Sequence, residues 1–449
     1  MSRRASELLL AFGIVSALAS FSFSASSDNT VWSRKILPGL TYSHIKGTTA
    51  DGTLHIHILK IDIRNEKISV RPQLAKGTIG SLERTSAMAF RCNAIAAING
   101  SFFEARKKLH LPVGFMVIDG EVLNRSILER ASFGITRDKH IVFGIPKIKG
   151  YAMNLTNRKS VQIWGVNRPR KKNEVVIYTD EYGSSTGTNL SGMELIVDSG
   201  GAVTGIASGD AAIPKDGYVV SLHGWSRDFA AKTKVGDRIG LTYDLADQWK
   251  NVYQAVTGGP LLVKNGGTVH SESLISEKFK KDMLPPNSRT AVGVTKDGQL
   301  LFVVVDRQYP VSRGVTYDEL ANIMKDAGAV DAMGLDGGHA STMYLNGKVV
   351  NYPLNGSEAR VSNALLVTYD GWKLASVPRQ VLTYIYAYKP PSRELIENLI
   401  RAADMSPTAY VPRPEDYGLW GLYDIYNRVL RPIVPVFPAP VNEDPGPDS

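Results

Sequence analysis

A single cysteine, Cys92, stands in 449 residues, so no intrachain disulfide can form and no cysteine-rich metal site can be built. No Gly-x-x-x-x-Gly-Lys-Ser/Thr loop and no His-Glu-x-x-His helix occurs, which removes the commonest nucleotide-binding and metalloprotease readings. Glycines such as Gly205 and Gly209 lack the strand-turn-helix context of a dinucleotide fingerprint and read as turns. Zinc-finger spacing is absent, as is any helical run of arginines interleaved with aromatics, so no specific nucleic-acid partner is expected. The sequence also lacks the succession of long apolar runs that a multi-span membrane protein requires.

What is present is a chain of 43% apolar composition, long enough for one large catalytic domain with appendages. The net charge is +9, with a short run at Arg168-Pro169-Arg170-Lys171-Lys172. Such a balance favours anionic partners, among them phosphate-bearing glycans and anionic lipid surfaces, while an ordinary solvated loop would read the same way. Ser2-Arg3-Arg4 precedes an apolar stretch from Leu8 to Phe23 and then Ser24-Ala25-Ser26, the pattern of a secretory signal peptide over residues 1–25. An uncleaved N-terminal anchor is the competing reading, because the stretch approaches the roughly 20 residues that span a bilayer. Export without disulfides fits the periplasm or exterior of a bacterium. Cys92, in Met88-Ala89-Phe90-Arg91-Cys92, reads as a buried thiol.

From Leu54 onward short apolar segments alternate with turns. His55-Ile56-His57-Ile58-Leu59-Lys60-Ile61 alternates as a strand, with Ile68-Ser69-Val70 as its partner. His55 and His57 share one face, but no third ligand stands near them in sequence, so packing or solvated histidines are expected rather than a metal pair. Ser81–Asn93 has helical spacing. Asp119-Gly120, Asn265-Gly266, Asp297-Gly298 and Asn346-Gly347 each predict a hairpin. Leu300–Val305 is continuously apolar, as in a strand covered on both faces. Thr316-Tyr317-Asp318-Glu319 opens a helix through Ala327, which Gly328 ends before Val330–Leu335 returns to the sheet. The expected fold is therefore α+β, a hairpin-rich mixed sheet core with flanking helices and a strand-helix-strand unit ending at Asp336. Beyond Thr368 prolines and aromatics accumulate, so residues 369–449 read as an appendage whose last residues are disordered.

Asp336 lies at the end of that apolar run, against Gly337-Gly338 and the small polar cluster His339-Ala340-Ser341-Thr342. A carboxylate lifted to a sheet rim beside glycines leaves room for a ligand to approach closely, although Asp-Gly is also an ordinary hairpin sequence. Its company distinguishes the two. Ala97–Glu104 (with Asn99-Gly100), Val256–Leu262 (with Gly258-Gly259), Asn287–Gly293 (with Arg289) and Arg360–Leu366 occur in order around it.

This ordered set resembles the phosphodiester glycosidase family over residues 50–368. Two departures stand out: His339-Ala340 where the family more often has Gly-Ser, and Asp306-Arg307-Gln308 without the glycine usual after that aspartate. The resemblance implies cleavage of a sugar attached through phosphate, such as an N-acetylglucosamine phosphodiester in an envelope or matrix glycan. A departing phosphate monoester is already a stable anion, so cations and donors matter more to it than a strong acid. Arg289 and Arg360 offer guanidinium forks for that purpose. Asp336 is the first candidate for nucleophile, base or electrostatic stabiliser, Glu104 the second, and Asp306 either catalytic or supporting; retention and inversion are both open. Asn99 is a candidate for sugar hydroxyls or an acetamido group, and Gly258, Gly259, Gly337 and Gly338 for backbone access. His339 is a candidate donor or proton relay. Thr186, in the polar loop Gly183–Asn189, lies in a segment that the resemblance places near the sugar. Oxygen-rich loops are compatible with a divalent cation such as calcium, with no spacing that fixes one. A noncatalytic glycan-binding protein of the envelope is the alternative from a different class.

Overall fold

The computed structural model describes residues 30–49, 51–125 and 128–373; the expected signal peptide and almost all of the expected appendage lie outside them. Strands take up 47% of the structure and helices 14%, so sheets position the site.

The organising element is an eight-stranded sheet in the order Thr30–Leu37, Leu40–Thr49, Gly52–Ile61, Leu300–Val305, Arg289–Thr295, Ala329–Gly334, Leu261–Lys264, Gly267–Thr268. Leu300–Val305 sits near its centre and is buried on both faces. Because side chains alternate along a strand, Leu300, Phe302 and Val304 enter one core while Leu301, Val303 and Val305 enter another. Each such burial contributes roughly 1.5–3 kcal/mol, which is why polar residues are missing from this segment. The first core is closed by a five-stranded sheet through Ile98, Met343, Leu365 and Val367. The second is closed by the helix Tyr317–Asp326 through Leu320, Ile323 and Met324.

That helix begins as its sequence predicts. Thr316 Oγ1 accepts from the Glu319 N–H at 3.2 Å, and the Glu319 carboxylate accepts from the Thr316 N–H at 2.8 Å. Leu300–Val305 and Ala329–Gly334 are each antiparallel to Arg289–Thr295, which lies between them, and therefore run parallel to one another. The helix is the crossover that such a pair needs. The four pairs expected to form hairpins, Asp119-Gly120, Asn265-Gly266, Asp297-Gly298 and Asn346-Gly347, each lie between strands that pair with each other in antiparallel fashion.

The expected helix over 81–93 is shorter, Thr85–Arg91, because Glu83–Arg84 pairs instead with Arg360–Val361. A second, ten-stranded sheet continues from Ile141–Gly144 through Val252–Thr257 and Phe115–Ile118 to a distal half made of Gly165–Val166, Val175–Thr179, Tyr218–His223, Gly192–Val197 and Val203–Ala207. Among the described residues no helix is long and apolar enough to cross a membrane.

Candidate active site

The two parallel strands and the strand between them end together. At one edge of the eight-stranded sheet this brings Arg289, Asp306 and Asp336 to neighbouring positions, since Arg289 pairs with Val305 and Ala291 with Gly334. The main chain at Asp336 is held from several sides. Leu335 N–H donates to Thr290 O at 2.8 Å, Asp336 N–H to Gly100 O at 3.1 Å, and Asn99 Nδ2 to Asp336 O at 2.7 Å. Beneath it Gly259 N–H donates to Gly334 O and Gly334 N–H to Pro260 O, both at 2.9 Å. A Cβ at Gly258 would stand 2.2 Å from Gly334 O, and one at Gly259, whose φ is +100°, 2.2 Å from Glu277 Oε2. Backbone crowding requires the first glycine, and the positive φ and the Glu277 side chain require the second.

Asp336 forms part of the floor of a cleft of about 320 Å³, lined also by Phe102, Phe103, Asn287, Arg289, Tyr317, Gly337, Gly338, His339 and Arg360. Burial pushes its carboxyl up to about 7, against the opposing pull of the Gly337 N–H and of the Arg130 charge. Arg130 is itself buried. Its guanidinium lies 4.1 Å from the centre of the Phe279 ring and 5.2 Å from that of Phe102, and its Nε donates to Glu277 O at 3.2 Å. Burial draws its pKa below the ordinary arginine value, opposed by Glu277, Tyr317 and Asp336. The Glu277 carboxylate accepts from Ala131 N–H and Leu261 N–H at 2.9 and 2.8 Å, so both of its oxygens serve the backbone.

The arginines expected to bind phosphate differ sharply. Arg289 is buried against Tyr317, its guanidinium carbon 3.9 Å from the ring centre. Its Nε donates to Val315 O at 3.2 Å and its Nη2 to Met283 O and Pro285 O at 2.9 and 2.8 Å. Most of its fork therefore holds the 283–285 turn, and its Nη1 is the nitrogen nearest Gly337. Arg360 is exposed at the rim. His339, also exposed, has its Nε2 3.0 Å from Asn355 Nδ2.

Several other sequence candidates lie off the cleft. Asn99 is fully buried under the floor, its Oδ1 accepting from Thr290 Oγ1 at 2.8 Å and Thr342 N–H at 3.1 Å. Glu104 pairs with Lys107 at 2.6 Å and does not line the cleft. Asp306 is wholly buried, 2.9 Å from His57 Nε2, and accepts from Asn351 Nδ2 at 3.1 Å. Tyr42 OH closes the other side of His57 at 2.7 Å from Nδ1, so His57 is a packed core histidine. Thr186 lies in a loop against the ten-stranded sheet, where its hydroxyl donates to Glu194 at 2.8 Å. Arg130, Tyr317 and Phe279 carry no local sequence signal, since each belongs to the site only through packing.

Among the described residues no group of three or more His, Cys, Asp or Glu side chains is placed to hold a metal ion. A larger hollow, about 560 Å³, lies elsewhere beside Arg71, Arg137 and Tyr253. Its carboxylate, Asp119, is 3.3 Å from Arg71 and accepts from Gln254, which leaves no unpartnered acid there.

Residues 191–368 match the family model described as phosphodiester glycosidase. An uncharacterised protein of Rickettsia conorii is 29% identical over 233 residues, which cover 49% of this chain and 78% of that one. The N-acetylglucosamine-1-phosphodiester alpha-N-acetylglucosaminidase of Mus musculus is 30% identical over 145 residues, and the match spans 30% of this chain but only 25% of the mouse enzyme. The crystal structure of a hypothetical protein from Synechocystis shares the fold, with a TM-score of 0.66 at 22% identity over 77% of this chain and 64% of that one.

Proposed function

We propose that the protein is an exported glycosidase that hydrolyses a sugar-1-phosphodiester, such as an N-acetylglucosamine phosphodiester in an envelope or matrix glycan. The observation that carries this reading is Asp336 on the cleft floor, a half-buried carboxyl whose desolvation raises its pKa to about 7 against the pull of Arg130, with Arg289 and Arg360 lining the same cleft. The bond between the anomeric carbon and the phosphate oxygen breaks, the electron pair leaves on that oxygen, and water supplies the hydroxyl to the sugar while its other proton passes to solvent. Ionised Asp336 faces the positive charge that develops at the anomeric carbon. Arg360 and Nη1 of Arg289 receive the anionic leaving group, which needs charge compensation rather than a proton. Asn99 acts from below, fixing the main chain of Asp336. Export is supported by the basic start and the apolar Leu8–Phe23 stretch, with cleavage expected between about residues 19 and 27.

The test is release of free sugar from a sugar-1-phosphodiester by the purified protein, compared with Asp336→Asn. Sugar release that depends on Asp336 is the expected result. Binding of the glycan without turnover by the wild type would establish the noncatalytic alternative instead.

A further inference from the structure

The basic run that the cleft does not use lies at the distal end of the ten-stranded sheet, and the structure divides it. Arg168 is buried and paired with Glu174 at 2.7 Å. Arg170 is tethered through Nη1 to Leu222 O at 2.8 Å and through Nη2 to Asn189. Lys171 and Lys172 point to solvent.

Four neighbouring strands end at this place. Gly165 lies beside Val176 in the parallel pair, Val175 opposite Leu222, and His223 opposite Gly192. With strands about 4.8 Å apart, these ends form one row roughly 15 Å wide. The residues just outside them are large and apolar: Trp164 is 42% exposed, Trp225 60% and Leu190 80%. Lys171, Lys172 and Arg227 are exposed among them, and the His223 imidazole is pushed below its usual value by burial and then by Arg170, Lys172 and Arg227. The nearby acids are engaged locally, Glu174 by Arg168 and Asp228 by Lys232.

We propose that this end of the sheet, with Trp164, Leu190 and Trp225 set among Lys171, Lys172 and Arg227, is a docking surface for an anionic lipid bilayer. Indole rings suit the headgroup region, where an apolar body and a polar N–H are both satisfied. The cations draw the surface to anionic headgroups. An anionic glycan would use the same cations, but an aliphatic tip as exposed as Leu190 adds nothing to sugar stacking, whereas it inserts readily among acyl chains.

The mature protein, without the N-terminal apolar stretch, is mixed with vesicles of phosphatidylglycerol and phosphatidylcholine, or of phosphatidylcholine alone, and bound protein is sedimented. Binding to the anionic vesicles is expected, with about tenfold loss in the L190S/W225S variant and roughly thirtyfold or greater loss in K171E/K172E. Melting curves check that both variants remain folded. Absence of vesicle binding by the wild type, or binding by both variants equal to the wild type, overturns the proposal. So does binding to a soluble anionic polysaccharide such as heparin that K171E/K172E abolishes, if L190S/W225S leaves vesicle binding intact, since that marks a surface reading charge alone.

Discussion

Asp306 and Asp336 end parallel strands at the same sheet edge, yet their surroundings differ in kind. The Asp306 carboxylate is enclosed by His57 and Asn351, while its carbonyl accepts from Ser312 Oγ at 2.6 Å. Asp336 is strongly desolvated, with the Gly337 N–H and the Arg130 charge as its stabilising influences, and opens on a cleft. A buried acid whose bonds are complete belongs to the architecture. One that is desolvated and incompletely compensated keeps its charge available for a ligand.

The largest expected effect is on Asp336. Asp336→Asn is expected to lower kcat/KM for a sugar-1-phosphodiester by about a thousandfold or more. The same change is expected to raise stability at pH 8 by about 2 kcal/mol, because a carboxyl whose folded pKa lies above its unfolded value destabilises the fold as pH rises through that interval. Thermal melting at pH 4 and pH 8 checks the sign: the gain appears at pH 8 and vanishes at pH 4. Loss of stability at pH 8 would erase the contrast with Asp306.

Asp306→Ala is expected to do the reverse. It leaves His57 and Asn351 without their acceptor at a cost of about 3 kcal/mol, read by urea denaturation, while the folded protein keeps kcat within about tenfold of wild type. A thousandfold loss of kcat in a fully folded variant would place Asp306 in the chemistry.

The pH profile sharpens the comparison further. With Asp336 working as a carboxylate, kcat/KM is expected to rise through an apparent pKa near 7. Arg130→Met removes a charge that holds this carboxyl down and is expected to move the acid limb to higher pH. An unchanged limb would mean that the titrating group lies elsewhere.

The smallest effects separate the arginines. Arg360→Ala is expected to weaken turnover of the phosphodiester about tenfold more than that of a matched neutral aryl glycoside. Arg289→Ala is expected to weaken turnover of the phosphodiester more than that of the neutral glycoside as well, and in addition to lower stability by about 1–3 kcal/mol, since the carbonyls of Val315, Met283 and Pro285 lose a buried donor. Equal losses on the two substrates for Arg360→Ala would return it to the scaffold.

Much of this frame was readable from local chemistry. The capping box at Thr316, the Asn-Gly and Asp-Gly turns and the apolar run Leu300–Val305 each specify their own conformation within a few residues. Segments that converge on the cleft could be recognised as a set, but not the layer in which each would lie. Asn99, Gly258 and Gly259 support the floor from below, because their hydrogen bonds are to main-chain partners that sequence does not pair. Glu83–Arg84 left the expected helix for a strand partner more than 270 residues away. Arg130 was illegible for the same reason: an arginine becomes notable only when Phe102 and Phe279 close over it.

The hydrogen bond from Asn99 to Asp336 joins residues 237 positions apart. Contacts of such separation are made late, after the intervening chain has found its own pairings, and they slow folding because closing a long loop costs more entropy, a cost that rises with the logarithm of its length. The cleft is therefore among the last features to form and among the first lost when the chain is cut. During refolding, the environment of the buried Trp249, whose partner Phe115 is nearer in sequence than Asn99 is to Asp336, should recover before catalytic turnover does, so that activity reports completion of the fold.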